Sequence, residues 1–278
     1  MIILRHGTHT ATIDPDAGGR LSSLRIDGAE VIGGAPALGG GDPAWFSGSF
    51  PMVPFAGNVT DAAFVFRDRR YTLPPNNGPH ATHGLVCAAP WHVTAQGERE
   101  LRLRIDLPDS WPFGGWAEQR FVLSSTGLEV TLTCGNDERD MPVSLGFHPW
   151  FQRTVDGQAA QLDFAPESRY AEGRPGLFGD PAPDLGNRPW DDPFRHPGAP
   201  TITWGSRRLT LNSSEDTWLV YERQPEGFCV EPLTAPPDGL APERARIAGP
   251  GHPVSLRFGL DWGTALPSPG ETPSAPRE

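Results

Sequence analysis

The 278-residue sequence predicts an all-β fold of packed antiparallel sheets, and three observations carry that expectation. First, 33 glycines and 32 prolines are spread along the chain, which interrupts it too often for long helices. Second, short stretches of apolar–polar alternation recur, the period expected of half-buried strands. Third, hydrophobic residues at 37% and aromatics at 9%, with 9 tryptophans, can fill a substantial core and still leave aromatic surface for a ligand.

The alternating stretches, in order, are THTATI (8–13), RLSSLRI (20–26), AAFVFRDRRYTL (62–73), ELRLRIDL (100–107), GLEVTLTC (127–134), RRLTLN (207–212), DTWLVYE (216–222) and PVSLRFGLDW (253–262), and Trp91 begins a further strand, WHVTA. Within 62–73, Phe64 and Phe66 precede RDRR and Tyr71 and Leu73 follow it, the pattern of a hairpin with an arginine-rich turn. The segment 173–200 is so rich in proline and glycine that it reads as a long irregular excursion. Residues 264–278 are polar and proline-rich and read as a disordered tail, leaving 1–263 as one domain, a size common for all-β folds. No internal repeat or heptad period is present.

Composition removes several classes of function. All 23 basic residues are arginine, so Schiff-base chemistry, a Walker lysine and a pyridoxal-phosphate lysine are unavailable. A net charge of −11 offers no broad positive field for nucleic acid or anionic lipid. Cys87, Cys134 and Cys229 are widely spaced without metal-type pairing and read as free core thiols. No signal-peptide core or membrane-length apolar run occurs, so a reduced cytoplasmic setting is expected.

Three short motifs hold the chemistry. His83 in HATHGLVCAAPW lies just before a turn, and its residue type alone leaves it open between a cleft group and a loop histidine making ordinary hydrogen bonds. His148 in SLGFHPWF is held extended by Pro149 and surrounded by Phe147, Trp150 and Phe151; desolvation there lowers an imidazole pKa and a carboxylate neighbour raises it. Glu231 in FCVEPL follows an apolar strand and precedes Pro232, expected to end sheet pairing, so its carboxylate points to solvent or into a cleft. One carboxylate and two imidazoles suit acid/base chemistry without a cofactor.

Together these motifs resemble the aldose 1-epimerase (galactose mutarotase) family, whose members interconvert the anomers of free sugars. The likeness starts at AGGRLSSLRIDGAEVI and runs through SFPMVPFAGNVTDAAFVFRDRRYTLPPNNGPHATHGLVCAAPWHV, SLGFHPWF and VEPLTAPPDGL. It implies a large antiparallel β-sandwich, the galactose mutarotase-like supersandwich. By the same resemblance Glu231 is the base at the anomeric hydroxyl, His148 the acid at the ring oxygen, and His83 a second histidine supporting that transfer. Asp191 in WDDPF, with Asp192 adjacent, resembles the family's sugar-binding aspartate, and Trp150 is expected to contact the sugar.

The chain departs from the family at PFAGNV, where Asn58 stands in place of a sugar-binding arginine. An amide hydrogen-bonds a hydroxyl but lacks the fixed charge and fork of a guanidinium. Arg67, Arg69 and Arg70 are the nearby candidates to compensate, although they also read as a solvated hairpin turn. The expected partner is a monosaccharide, with no nucleic acid, membrane, metal or cofactor, for a monomer or homodimer. Two alternatives stay open: a hexose-6-phosphate 1-epimerase, and a non-catalytic sugar-binding or sensing protein on the same fold.

Overall fold

The computed structural model describes residues 1–33, 44–174 and 177–264. Two large antiparallel sheets dominate among these residues, one of 11 strands and one of 9, with three two-stranded ribbons beside them. The helical elements described are two single 3₁₀ turns, Pro15–Ala17 and Thr60–Ala62, as the density of glycine and proline requires. No helix is long and apolar enough to cross a membrane among the described residues.

The alternating stretches become strands close to where the pattern places them, including Arg20–Ile26, Glu100–Asp106, Gly127–Gly135 and Arg207–Ser213. Their apolar positions pack between the two sheets, and Phe147 and Trp218 of the larger sheet meet Phe258 of the smaller at ring separations of 5.8 and 6.5 Å. Burying such rings on both sides contributes roughly 1.5–3 kcal/mol each, the main source of cohesion between the layers. The arginine-turn hairpin is present as Ala63–Phe66 paired with Arg69–Thr72.

Three local expectations are corrected. The segment expected to be irregular contains paired strands, Leu177–Ala182 against Ser168–Arg174 and Asp191–Arg195 against Thr217–Tyr221. Prolines sit within them because edge and ladder positions that require no N–H donor accept proline. Pro232 does not end its strand: Gly227–Leu233 runs through it, with Trp218 opposite Pro232. Thr264, the first residue of the expected tail, is the last residue of the strand Val254–Thr264 and pairs with Arg207; residues 265–278 lie outside the described ones.

Both faces of the larger sheet are covered in its centre, which is why Gly227–Leu233 is buried at every position. Phe228 and Val230 face the second sheet and join its core, while Cys229, Glu231 and Leu233 alternate to the opposite face. That outer face lies under the connecting segments around residues 44–58, 76–83 and 237.

Candidate active site

Antiparallel register builds the site as two neighbouring rungs on this outer face. The strand Gly146–Gln152 pairs Gly146 with Leu233 and Trp150 with Cys229, so His148 falls opposite Glu231. On its other edge His148 pairs with Phe50, and Glu231 pairs onward with Leu219. The second rung runs Trp150, Cys229, Tyr221 and Asp191. Residues directly opposite share a face, so four strands far apart in sequence present their side chains together.

These side chains line a cavity of about 390 Å³, roofed by Trp45, Phe46, Gly57, Asn58, Asn77, Thr82, His83 and Pro237. Thus the cavity brings together all six residues singled out in the sequence: His83, His148, Glu231, Asp191, Asn58 and Trp150. A larger gap of about 680 Å³ opens around His9, Arg207 and Trp262, but its acids Asp27 and Asp156 are exposed and paired with Arg207. The chemistry-bearing groups are in the smaller cavity.

His148 Nε2 lies 3.4 Å from Glu231 Oε1, and both side chains are almost fully enclosed, at 8% and 2% exposure. Phe50 stacks on the His148 ring at 4.7 Å, and His83 meets it edge-on at 4.9 Å. Behind the ring, Cys229 Sγ is 3.5 Å from His148 Nδ1. His83 reaches its place because Gly57 O accepts its backbone N–H at 2.9 Å and its φ is +61°, the left-handed geometry that turns the chain into Gly84. A Cβ at Gly84 would come within 2.4 Å of Val53 O, so this turn requires glycine.

Burial governs the proton affinities. It pushes Glu231 well up, with the nearby Asp191 carboxylate adding to the effect. Desolvation also pushes His148 well down, aided by His83, and holds His83 down to about 4. The attraction expected of a carboxylate–imidazolium pair at 3.4 Å is outweighed, so both partners favour their uncharged forms. The Cys229 thiol is likewise pushed well up by burial, then by Glu231. Among the described residues, His148, Cys229 and Glu231 form the one group with metal-ligand atoms within 4.8 Å of one another. A sulfur that keeps its proton and lies behind the ring is poorly suited to be a thiolate ligand.

Asp191 is the aspartate that faces the cavity, and its Oδ2 is 3.3 Å from Arg223 Nη1; Asp192 turns to Arg169 at 3.1 Å. Asn58 Oδ1 accepts a 2.7 Å bond from Thr82 Oγ1 across the short ribbon Asn58–Val59 with Ala81–Thr82. The Asp238 carboxylate secures the same segment, accepting from Thr60 N at 2.7 Å and Thr60 Oγ1 at 2.9 Å. Among the described residues, no arginine lines the cavity, although Arg223 pairs with Asp191 beside it. Arg67 pairs with Asp140 and Arg69 lies over the Tyr71 ring, while Arg70 lines a separate cleft beside Phe64 and Asp238.

Several contributors have no signal in a linear reading. Trp45 and Phe46 were legible only as adjacent aromatics in a glycine-rich stretch, yet Trp45 packs edge-on to His83 at 5.4 Å and its carbonyl accepts from Trp150 Nε1 at 2.8 Å. Tyr221 meets Trp150 edge-on at 5.7 Å, completing an aromatic wall. Buried Arg20 anchors the roof through the carbonyls of Ala44 and Ser47, both at 2.5 Å, and that of Cys87 at 3.1 Å.

Two large antiparallel sheets in this arrangement have the galactose mutarotase-like fold. The aldose 1-epimerase family model matches residues 1–259, and the chain belongs to that family. Over 118 residues it is 31% identical to the uncharacterized protein YphB of Escherichia coli (strain K12), a match spanning 40% of this chain and 40% of that relative. A solved structure of a candidate aldose 1-epimerase from Escherichia coli K12 superposes with a TM-score of 0.82 at 20% identity, covering 95% of this chain and 98% of the other. Galactose 1-epimerase from Lactobacillus acidophilus NCFM gives 0.77 at 15% identity, covering 95% and 94%. At such identities these neighbours show a shared fold.

Proposed function

We propose that this protein is an aldose 1-epimerase that interconverts the α and β anomers of a free aldose by acid/base ring opening and closure. The observation that carries this reading is the buried His148–Glu231 pair at 3.4 Å in a cavity walled by aromatic rings. An uncharged acid and an uncharged imidazole hold the same number of protons as a carboxylate and an imidazolium. A proton shift within the pair therefore yields a base at Glu231 and an acid at His148 without exchange with solvent.

Glu231 then removes the anomeric hydroxyl proton while His148 Nε2–H protonates the ring oxygen, and the C1–O5 bond breaks to give the open-chain aldehyde. Rotation about the C1–C2 bond and reversal of both transfers close the ring on its other face. His83, meeting the His148 ring edge-on, binds the sugar near its ring oxygen. Asp191 and the Asn58 amide accept from and donate to hydroxyls, and Trp150 offers an apolar face. Proton transfers from positioned groups supply roughly 10²–10⁴-fold each, enough for a reaction that already proceeds in water.

A cavity lining that includes no arginine among the described residues favours an uncharged sugar over a hexose 6-phosphate. Polarimetry or exchange NMR on freshly dissolved α-glucose, α-galactose and a wider aldose panel, comparing wild type with Glu231→Gln, tests the reading. Acceleration lost in the variant supports it. Sugar binding without acceleration by wild type would assign a sensing role instead.

A further inference from the structure

We infer that Asn77, in the roof of the cavity, is a sugar-binding residue whose side-chain amide hydrogen-bonds a hydroxyl on the edge of the ring away from C1, and that Asn76 positions it. The inference rests on the reading of this cavity as an aldose site. It begins from an uncommitted side chain: Asn77 lines the cavity and is exposed at its mouth, and among the described residues its amide has no hydrogen-bond partner. An amide offers both a donor and an acceptor, so it can meet a hydroxyl in either role.

The backbone that carries this amide is held firmly. His80 O accepts from Asn76 N and Asn77 N at 3.0 and 3.1 Å, and Asn77 O accepts from His80 N at 3.0 Å. Gly78, at φ +57°, makes the tight turn between them, and His80 Nδ1 accepts from Asp61 N at 3.2 Å. Asn76 then fastens the turn to the ribbon beside it: its Oδ1 accepts from Thr82 N at 2.8 Å and its Nδ2 donates to Thr82 O at 3.0 Å. Those two bonds run in opposite directions, so only one orientation of the Asn76 amide satisfies both. Thr82 is 3% exposed and also gives its hydroxyl to Asn58 Oδ1 at 2.7 Å, so one buried threonine ties the segments of both cavity amides, Asn58 and Asn77, to the same ribbon. A group presented on a fixed backbone loses less freedom on binding, which makes its hydrogen bond count for more.

Depth decides which part of a sugar Asn77 meets. Glu231 and His148 are enclosed on the floor, whereas Asn77 and Asp191 are at the rim. A ring seated with its C1–O5 bond on the pair turns its opposite edge outward to these two. That edge keeps its place while the C1–C2 bond rotates, so a hydrogen bond to it is equally strong before and during the reaction. Such a contact lowers KM without raising kcat. With no arginine among the described lining residues, a neutral amide here selects for a hydroxyl and gives no advantage to a charged group.

Anomer-exchange kinetics, together with titrations followed by the fluorescence of Trp45 and Trp150 in the cavity wall, test this on glucose, galactose and their monodeoxy analogues. Asn77→Ala should raise KM and Kd for the preferred hexose roughly threefold to tenfold, with kcat within about twofold of wild type and an unchanged thermal midpoint. The monodeoxy analogue that lacks the contacted hydroxyl should bind the wild type more weakly by a similar factor and lose nothing further in Asn77→Ala. Asn76→Ala should also raise KM, and its combination with Asn77→Ala should cost less than the product of the two, since it acts through the same amide. Unchanged KM and Kd in Asn77→Ala, a loss in kcat instead, or the same set of deoxy penalties in the variant as in the wild type would overturn the proposal. The titrations need no turnover: a wild type that binds hexose through Asn77 but accelerates no anomer exchange would sink the epimerase reading and leave this assignment standing, and one that binds none of the sugars would sink both.

Discussion

His148 on the strand Gly146–Gln152 and Glu231 on the strand Gly227–Leu233 are cross-strand partners whose reactive atoms are 3.4 Å apart. They lie far apart in the chain and are brought together by a register that also pairs Gly146 with Leu233 and Trp150 with Cys229. Slipping one of these strands by one residue would send its side chain to the opposite face of the sheet, into the core, and part the pair.

Replacing Glu231 by glutamine tests the pair with little steric change. The buried carboxyl is held uncharged, so an amide of the same shape should leave folding nearly intact while removing the base. Anomer exchange should fall by at least ~10², with a thermal midpoint close to wild type. Retained activity would place the base elsewhere.

Acid stability should report on His83. Burial holds its pKa down to about 4 against an ordinary 6.5, so the folded state favours the neutral ring. That contribution is fully present above 6.5 and is lost as pH falls through 6.5 to about 4, because the unfolded chain takes up the proton first. Glu231 acts with the opposite sign, its raised pKa withdrawing stability as pH rises above the ordinary carboxylate range. Comparing wild type with His83→Gln leaves the Glu231 effect in both, while His148, depressed partly by His83, adds to the difference with the same sign: denaturant titrations from about pH 7.5 to 4 should show wild type losing about 3 kcal/mol more. Equal pH dependence would refute the assignment.

Asn58→Arg should alter which sugars bind. Among the described residues the cavity lining lacks an arginine, and a guanidinium at 58 would add a charged fork beside Thr82. Competition by a hexose 6-phosphate should strengthen roughly five- to tenfold over the free hexose. If phosphorylated hexoses already outcompete free ones in the wild type, the uncharged-sugar reading fails.

The Asp191–Arg223 pair sits at the rim, its side chains 37% and 57% exposed. Exposed pairs contribute little, so Arg223→Ala should change KM by no more than about fivefold and leave kcat alone. Asp191→Asn should raise KM further, because it removes an acceptor facing the cavity. A large kcat loss in either would mean that Asp191 takes part in the proton transfers.

Arg20 supports the roof from below. Removing a buried guanidinium that satisfies the carbonyls of Ala44, Ser47 and Cys87 and packs over Phe50 at 4.9 Å should cost about 3 kcal/mol or more. Calorimetry on Arg20→Met reads that loss. Arg20→Lys should not rescue it, since one ammonium cannot span the same carbonyls.

Period-two alternation was enough to read strands such as Arg20–Ile26, Glu100–Asp106, Gly127–Gly135 and Arg207–Ser213, because a half-buried strand must repeat every second residue whatever its neighbours are. The arginine-turn hairpin was legible for the same reason, and the family likeness was carried by local strings such as SLGFHPWF and VEPLTAPPDGL. The strand Gly227–Leu233 marks the limit. With both faces covered it is buried throughout, so its pattern does not say which face holds Glu231, and Pro232 looked like a terminus because pairing partners are invisible in one dimension.

Proximity was decided only by the tertiary structure. Trp45, Phe46, Tyr221, Cys229 and Arg20 reach the site through cross-strand register and long-range hydrogen bonds, which have no local signature. The proton affinities of His83, His148 and Glu231 belong to the same category, since each is set chiefly by how completely the fold removes the group from water. Sequence by itself determined the alternating strands and the residue types available for acid/base chemistry; the packing of two sheets and a roof decided which of those residues meet, and with which protons.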